Sequence, residues 1–157
     1  MDQPAATERQ PAPEAHGLTG KYRVRVIRPA LKEATRLCPQ ARHYFDLRAQ
    51  ALKLRYWPEH QVEYPNGNVL DLDWEWIRAM PGTGVGELRI DDPIANLENL
   101  RVIFYLGDQR VKAPLPMIWI LSLLQQKRQD FTTHSIEIFR ARRTLVIERF
   151  YKRREFE

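Results

Sequence analysis

Three consecutive segments with strand character constrain the fold of this chain more than any other feature. They span about residues 85–91, 99–107 and 116–125. The first two alternate between apolar and polar positions, which is typical of half-buried strands. The second segment places one apolar row on a single face, formed by Leu100, Val102, Phe104 and Leu106. Because short connections join the three segments, the sequence predicts an antiparallel meander.

The third segment differs from the other two because it is apolar on both faces. Within Met117–Leu124 the one polar residue is Ser122. A strand without a polar face has no side to present to water, so this run predicts a central strand that is covered on both sides.

Basic residues cluster around the ends and the second faces of these strands. Arg89 and Arg101 lie opposite the main apolar rows of the first two strands. Lys127 and Arg128 follow directly after the third strand, and His134 comes soon afterwards. The sequence therefore predicts a sheet that holds an anion.

The N-terminal half predicts a tail, a strand and several helices. Residues 1–20 are rich in Pro, Ala and Glu and lack apolar anchors, which predicts a flexible tail. Residues 21–28 alternate between apolar and polar side chains, which predicts a strand. Apolar residues at helical spacing follow Pro29 and recur over about 40–54, which predicts helices. Residues 71–80 have the pattern of a short amphipathic helix.

Turn residues and a capping residue indicate two further elements. Tyr56–Asn68 contains a Pro-Asn-Gly turn, so it is interpreted as a connection, with a hairpin as one option. Ser135 is suited to cap a last helix with Glu137 in its first turn. That helix has a broad apolar face, which must pack on the sheet or on another chain, and an opposite face rich in arginine.

Composition limits the classes of protein to consider. With 157 residues, the chain has the length of one domain. Its net charge of +5 permits a polyanionic partner without requiring one. The single cysteine, Cys38, cannot form an internal disulfide, and the four histidines are scattered, so no metal site is predicted. Without a secretory signal or an apolar run of about 20 residues, we expect a soluble protein of the cytoplasm.

The order of a strand, two helices and three antiparallel strands resembles the RelE/ParE superfamily of bacterial toxins. The residues agree with that family from about Leu70 to Arg143. Three segments carry the resemblance: Gly86–Ile90, which is similar to the family's Glu-Leu-Arg strand, Asn99–Tyr105, which is similar to its Tyr-Arg-hydrophobic-hydrophobic-Tyr strand, and Trp119–Arg128, which is similar to its closing strand and basic pair. The tail and about 25 extra residues, roughly 55–80, depart from the family.

The resemblance implies a fold. It predicts an α+β domain over residues 21–157, in which an antiparallel sheet of about four strands carries N-terminal helices on one face and a C-terminal helix, with an insertion at about 55–80. It also implies a function, that of the toxin in a type II toxin–antitoxin pair. The implied partners are a cognate antitoxin, the ribosome and mRNA, with no cofactor and no membrane.

Toxins of this kind with nuclease activity cut mRNA on the ribosome without a metal. The 2′-hydroxyl attacks the adjacent phosphate, which needs a base, an acid and fixed cations. By resemblance, Arg101 matches the phosphate-binding arginine, Arg128 the basic residue after the closing strand, and His134 the acid or base. Glu87, Arg89 and Lys127 are then the expected substrate-binding residues.

Other interpretations of the same residues stay open. Some strongly active members carry lysines on the strand that corresponds to residues 85–91, where this chain has Val85 and Glu87. That departure favours a non-catalytic protein that inhibits a protein target such as gyrase, or an inactive phage-derived homologue. In a structural interpretation, Glu87 and Arg89 form cross-strand ion pairs with Arg101. His134 then only supports the start of the last helix.

Overall fold

A computed structural model of the protein describes residues 20–107 and 116–151. The predicted flexible tail, apart from Gly20, lies outside the described residues, and so does the basic end of the last helix beyond Tyr151.

The described chain contains short strands at both ends of an N-terminal helical region and three longer strands before the last helix. In chain order the elements are β1 (Arg23–Val26), α1 (Arg28–Leu37), α2 (Ala41–Ala51), β2 (Gln61–Glu63), β3 (Val69–Asp71), β4 (Asp73–Trp76), β5 (Val85–Ile90), β6 (Leu100–Leu106), β7 (Met117–Gln125) and α3 (Thr133–Val146). A 3₁₀ turn (Leu52–Tyr56) follows α2, and a π-helical turn (Ile147–Tyr151) follows α3.

The α+β class is confirmed, but the sheet differs from the predicted antiparallel sheet of about four strands. Five strands form one mixed sheet in the order β1-β7-β6-β5-β4. The predicted meander is present, because β5 pairs antiparallel with β6, and β6 with β7. However, β1 lies parallel to β7. A connection that passes through two helices can return the chain in either direction, so residue alternation alone does not determine the orientation of β1.

The segment predicted as an amphipathic helix over 71–80 is a strand, so that prediction was wrong. Asp73–Trp76 forms β4, which pairs with β5 and sets Asp73 opposite Arg89. Two tryptophans alternate with two carboxylates, and this period of two matches a strand. The preceding connection is the hairpin considered above, because β2 and β3 pair antiparallel as a separate two-stranded sheet.

The sheet separates two apolar cores. On one face, α1 and α2 pack through residues such as Ala34 and Leu47 against Leu88, Phe104 and Ile120. On the other face, Ile136, Phe139 and Val146 of α3 pack against Ile103 and Leu121. β7 is an interior strand, although not the middle one, and it is covered on both sides as predicted. The broad apolar face of the last helix packs on the sheet.

The last helix is capped one turn earlier than predicted. The cap is Thr132, whose Oγ1 accepts a hydrogen bond of 3.1 Å from the Ser135 backbone N–H. Ser135 is thus inside the first turn and is not the cap, and the first turn contains no acidic residue. Both hydroxyl residues suit the N-cap position, and the backbone path of the preceding loop selects Thr132.

Candidate functional site

Three of the predicted site residues lie side by side on the α3 face of the sheet. Arg89 of β5 is the register partner of Arg101 of β6, and Glu87 is the partner of Ile103. Ile103 belongs to the core beneath α3. Since alternate residues of a strand share a face, Glu87, Arg89 and Arg101 point toward the same side as that core. Strand alternation thus predicted this part of the site from sequence.

Arg101 is buried and its guanidinium is held from three directions. Its Nη1 donates to Glu87 Oε1 at 3.0 Å, and its Nη2 donates to the Arg128 backbone oxygen at 2.9 Å. Its Cζ lies 5.4 Å from the centre of the Phe131 ring. Only 6% of the residue is exposed. The guanidinium therefore joins β5, β6 and the loop after β7, as a structural ion pair does.

Glu87 is the carboxylate at the centre of this network. It is 4% exposed, and burial raises its pKa above the ordinary glutamate value, while Arg101 and Arg89 oppose that rise. Arg89 donates to Glu75 Oε2 at 2.6 Å. Its Nε lies 3.5 Å from Glu87 Oε1, which is within ion-pair distance but lacks hydrogen-bond geometry. Two glutamates and two arginines thus form one connected group.

A cleft of about 220 Å³ opens beside this group. It lies between the end of β4, the loop after β7 and the first turn of α3. Its charged lining consists of Glu75, Glu87, Asp130 and Arg78. Glu75 and Glu87 are already paired with Arg89 and Arg101, so the cleft carries charges of both signs, whereas the sequence predicted a basic cleft. The apolar part of the lining includes Phe131 and Ile136.

The remaining predicted site residues do not join the buried group through their side chains. Lys127, Arg128 and His134 are exposed. Within residues 20–107 and 116–151, none of these three side chains forms an ion pair or a hydrogen bond with Glu87 or Arg101. His134 and Ile136 are two residues apart, so they lie about 200° apart around the helix. Since Ile136 faces the core, the side chain of His134 is directed away from it.

Sequence reasoning missed the β4 side of the site. Glu75 is the register partner of Glu87, and Arg78 follows shortly after β4. Both residues fell in the segment interpreted as a helix. The alternation Asp73, Trp74, Glu75, Trp76 was the available signal for a strand, and pairing with Gly86-Glu87 would have placed Glu75 at the site.

The arginines of α3 mostly bind the body of the protein. Arg140 donates to the Ala79 backbone oxygen at 3.3 Å. Arg143 donates to the Thr83 oxygen at 2.8 Å and lies over the Tyr105 ring at 5.3 Å. Arg142 pairs with Glu33 at 2.9 Å. These contacts fasten α3 to its surroundings, so this face is not simply a solvated arginine stripe.

A second cavity of about 220 Å³ lies on the opposite side of the sheet, between β1, α1 and α2. With the exception of Tyr44 and Arg48, its lining is aliphatic: Val24, Val26, Leu31, Ala34, Leu47, Ala51, Leu52, Ile120 and Leu123. Val26 is 38% exposed and Leu31 is 41% exposed, so the groove has an apolar rim open to solvent. We call this cavity the aliphatic groove.

Comparison with known protein families, with curated proteins and with solved structures gives no match. In the part of the chain that the structure describes, no set of three His, Cys, Asp or Glu side chains is placed to hold a metal ion. No helix among those residues is both long enough and apolar enough to cross a bilayer.

Proposed function

We propose that this protein is a toxin of the RelE/ParE kind that binds and inhibits a protein target without cutting RNA. One observation carries the proposal. Arg101, the arginine expected to hold the scissile phosphate, is buried and bound to Glu87, to the Arg128 carbonyl and to the Phe131 ring. A cation that stabilises a transition state must be aimed at the place where negative charge develops.

The position of the other expected catalytic groups supports the same choice. Cleavage by a 2′-hydroxyl requires an acid, a base and cations within hydrogen-bond reach of one phosphate. The side chain of His134 is exposed and directed away from the core beside Arg101. Beside the neighbouring cleft, Arg89 and Arg101 are already bound to Glu75 and Glu87, so neither guanidinium is directed at a phosphodiester.

The aliphatic groove supports a protein target. Apolar grooves of this kind, open to solvent, mark surfaces that bind other proteins. Basic residues outnumber acidic ones on the two helices that form the groove, α1 and α2: Arg28, Lys32, Arg36, Arg42 and Arg48 against Glu33 and Asp46. This surface therefore suits an acidic partner with an apolar face, and the inhibited target is proposed to bind there.

The second candidate function is the ribosome-dependent, metal-independent mRNA endonuclease. A specific observation favours it. Glu87 is a buried carboxylate with a raised pKa, it lines the cleft, and it lies beside Arg101. A carboxylate of that kind is suited to accept the proton of a 2′-hydroxyl. For this candidate, substrate binding must separate Arg101 from Glu87, which would turn the guanidinium toward the phosphate.

Induced expression in a bacterial host separates the two candidates. The binding proposal predicts growth arrest with transcript ends unchanged by primer extension. It further predicts that Leu31→Glu in the aliphatic groove relieves the arrest, whereas the neighbouring, exposed Lys32→Ala does not. New transcript ends that disappear in His134→Ala would overturn the binding proposal and establish the endonuclease. Normal growth with both wild type and Leu31→Glu would reject both candidates.

A further inference from the structure

β4 is an edge strand whose outer backbone groups are open. It pairs with β5 on one side only and is the last strand of the five-stranded sheet. The Ile77 N–H donates to the Val85 oxygen at 3.1 Å, so Ile77 faces β5. Hydrogen-bonded pairs alternate along an antiparallel ladder, so Asp73 and Glu75 also face β5 with their backbone groups. The backbone groups of Trp74 and Trp76 therefore point away from the sheet.

These outward groups have no partner among the residues that the structure describes. The backbone N–H and C=O of Trp74 and Trp76 take part in none of the backbone bonds between elements. The covered part of this edge ends at Leu72, whose N–H donates to the His60 oxygen at 2.9 Å. Natural proteins usually cover or blunt such an edge, because it is a ready template for another strand. Here Trp76 is 46% exposed beside it.

The chemistry around the edge is acidic. Asp71 and Asp73 are exposed, and the Glu75 side chain is 49% exposed. The cleft described above begins at the same strand, since Glu75, Trp76 and Ile77 form part of its lining. Asp71 and Asp73 form no ion pair with the described residues, so these two carboxylates give the edge its negative charge.

We propose that β4 docks an extended basic segment of a partner protein. The segment adds a sixth strand to the sheet through the backbone groups of Trp74 and Trp76, and its arginine or lysine side chains lie beside Asp73 and Glu75. Main-chain hydrogen bonds supply affinity in this mode of binding, and the pocket for an alternate side chain supplies specificity.

Charge disfavours a second copy of this chain as the occupant in two of the three antiparallel registers; in the third, Trp76 pairs with itself and Glu75 lies opposite Ile77. If Trp74 of one copy paired with Trp76 of the other, Glu75 would lie opposite Glu75. If Trp74 paired with itself, Asp73 would lie opposite Glu75. Like charges directly opposite each other destabilise a strand pair. The inference is separate from the proposed toxin function, because it rests on the backbone of β4 and is tested by binding alone.

The test uses a fluorescently labelled ten-residue peptide of alternating valine and arginine, measured by anisotropy against the whole protein. Two control peptides carry glutamate in place of arginine, or N-methyl groups on alternate backbone nitrogens. We expect the arginine peptide to bind and both controls to bind at least about tenfold more weakly, since each loses contacts worth about 1.4 kcal/mol or more. Binding should also weaken as salt is raised.

Matched protein variants locate the site. Glu75→Gln should weaken binding of the arginine peptide about tenfold. Glu98 is an exposed glutamate outside the cleft lining, so Glu98→Gln should leave the binding unchanged. Absence of binding, equal binding of the N-methylated peptide, or equal loss in both variants would overturn the proposal. So would a dimer in solution that Trp76→Pro dissociates, because β4 would then pair with a second copy.

Discussion

Arg142 of α3 donates to Glu33 of α1 at 2.9 Å, although the two helices pack on opposite faces of the sheet. The contact is possible because β1 ends at Val26, opposite Ile120, and leaves the following part of β7 without a neighbouring strand. There Glu33 Oε1 also accepts from the Leu123 N–H at 3.1 Å and from Ser122 Oγ at 2.8 Å. Arg142 donates as well to the Leu121 oxygen at 2.9 Å. The ion pair therefore provides hydrogen-bond partners for the backbone groups on the part of β7 that β1 does not cover.

Removal of the Glu33 carboxylate should destabilise the protein. Glu33→Ala leaves the Leu123 N–H, the Ser122 hydroxyl and Arg142 without their acceptor, so we expect a loss of about 2–3 kcal/mol in the free energy of unfolding. Glu33→Gln keeps one acceptor oxygen and should cost less. The neighbouring, exposed Lys32→Ala is the control and should stay within about 0.5 kcal/mol of wild type. Urea unfolding followed by circular dichroism measures all three, and equal midpoints for Glu33→Ala and Lys32→Ala would contradict the assigned role.

The Glu87–Arg101 pair should behave as a coupled, buried unit. Arg101→Met leaves a buried carboxylate with one weaker partner, so we expect a loss of about 3–5 kcal/mol. Glu87→Gln should cost less than Arg101→Met, because its amide oxygen can still accept from the guanidinium and it removes a carboxylate that burial disfavours. In the double variant neither charge is stranded, so its loss should be clearly smaller than the sum of the two single losses. Additive losses in chemical denaturation would show that the two side chains do not interact.

Stability should depend on pH through Glu87. Its pKa is raised in the folded state, chiefly by burial, so the folded protein binds this proton more tightly than the unfolded chain does. Stability from this group is therefore highest below the ordinary glutamate pKa, and it falls as pH rises from that value through the folded pKa. Glu87→Gln cannot titrate, so its unfolding free energy should fall less than that of wild type over this window. Parallel curves for the two proteins would refute the assignment.

The sequence predicted the part of the fold in which the residue pattern is strong and local. β5, β6 and β7 alternate clearly or are apolar throughout, and their short connections leave few ways to pair them. The pairing of Arg101 with Glu87 followed from the same alternation as one of the open interpretations. These features needed no knowledge of distant parts of the chain.

What the sequence did not predict depends on contacts between distant segments. The Glu33–Arg142 pair joins residues 109 positions apart and exists only because β1 stops short of the end of β7. β4 was missed because ten residues are too few to separate a helical period from a strand period when aromatic and acidic residues suit both. The mixed charge of the cleft follows from β4, since Glu75 and Arg78 reach the site through its pairing with β5.

The single cysteine should be nearly inert in the folded protein. Cys38 is 1% exposed, and burial raises the pKa of its thiol, with a smaller contribution from Asp46. Because the thiolate is the reactive form, both effects slow reaction with a disulfide reagent. We expect one thiol to react with Ellman's reagent promptly in denaturant and far more slowly under native conditions. Prompt reaction of the native protein would contradict the burial of Cys38.

Position 86 has no room for a side chain because Phe104 lies directly across the strand pair. A Cβ at this position would lie 2.5 Å from Phe104 Cζ and 3.0 Å from the Glu75 backbone oxygen. Phe104 is fully buried and is the register partner of Gly86, so its ring cannot move away without disturbing the core. We expect Gly86→Ala to cost about 1–3 kcal/mol through overpacking. Phe104→Leu removes the atoms that clash, so Gly86→Ala should cost less in that background than in wild type. Thermal unfolding of the four proteins gives this difference, and an equal cost of Gly86→Ala in both backgrounds would show that the Phe104 ring does not impose the requirement.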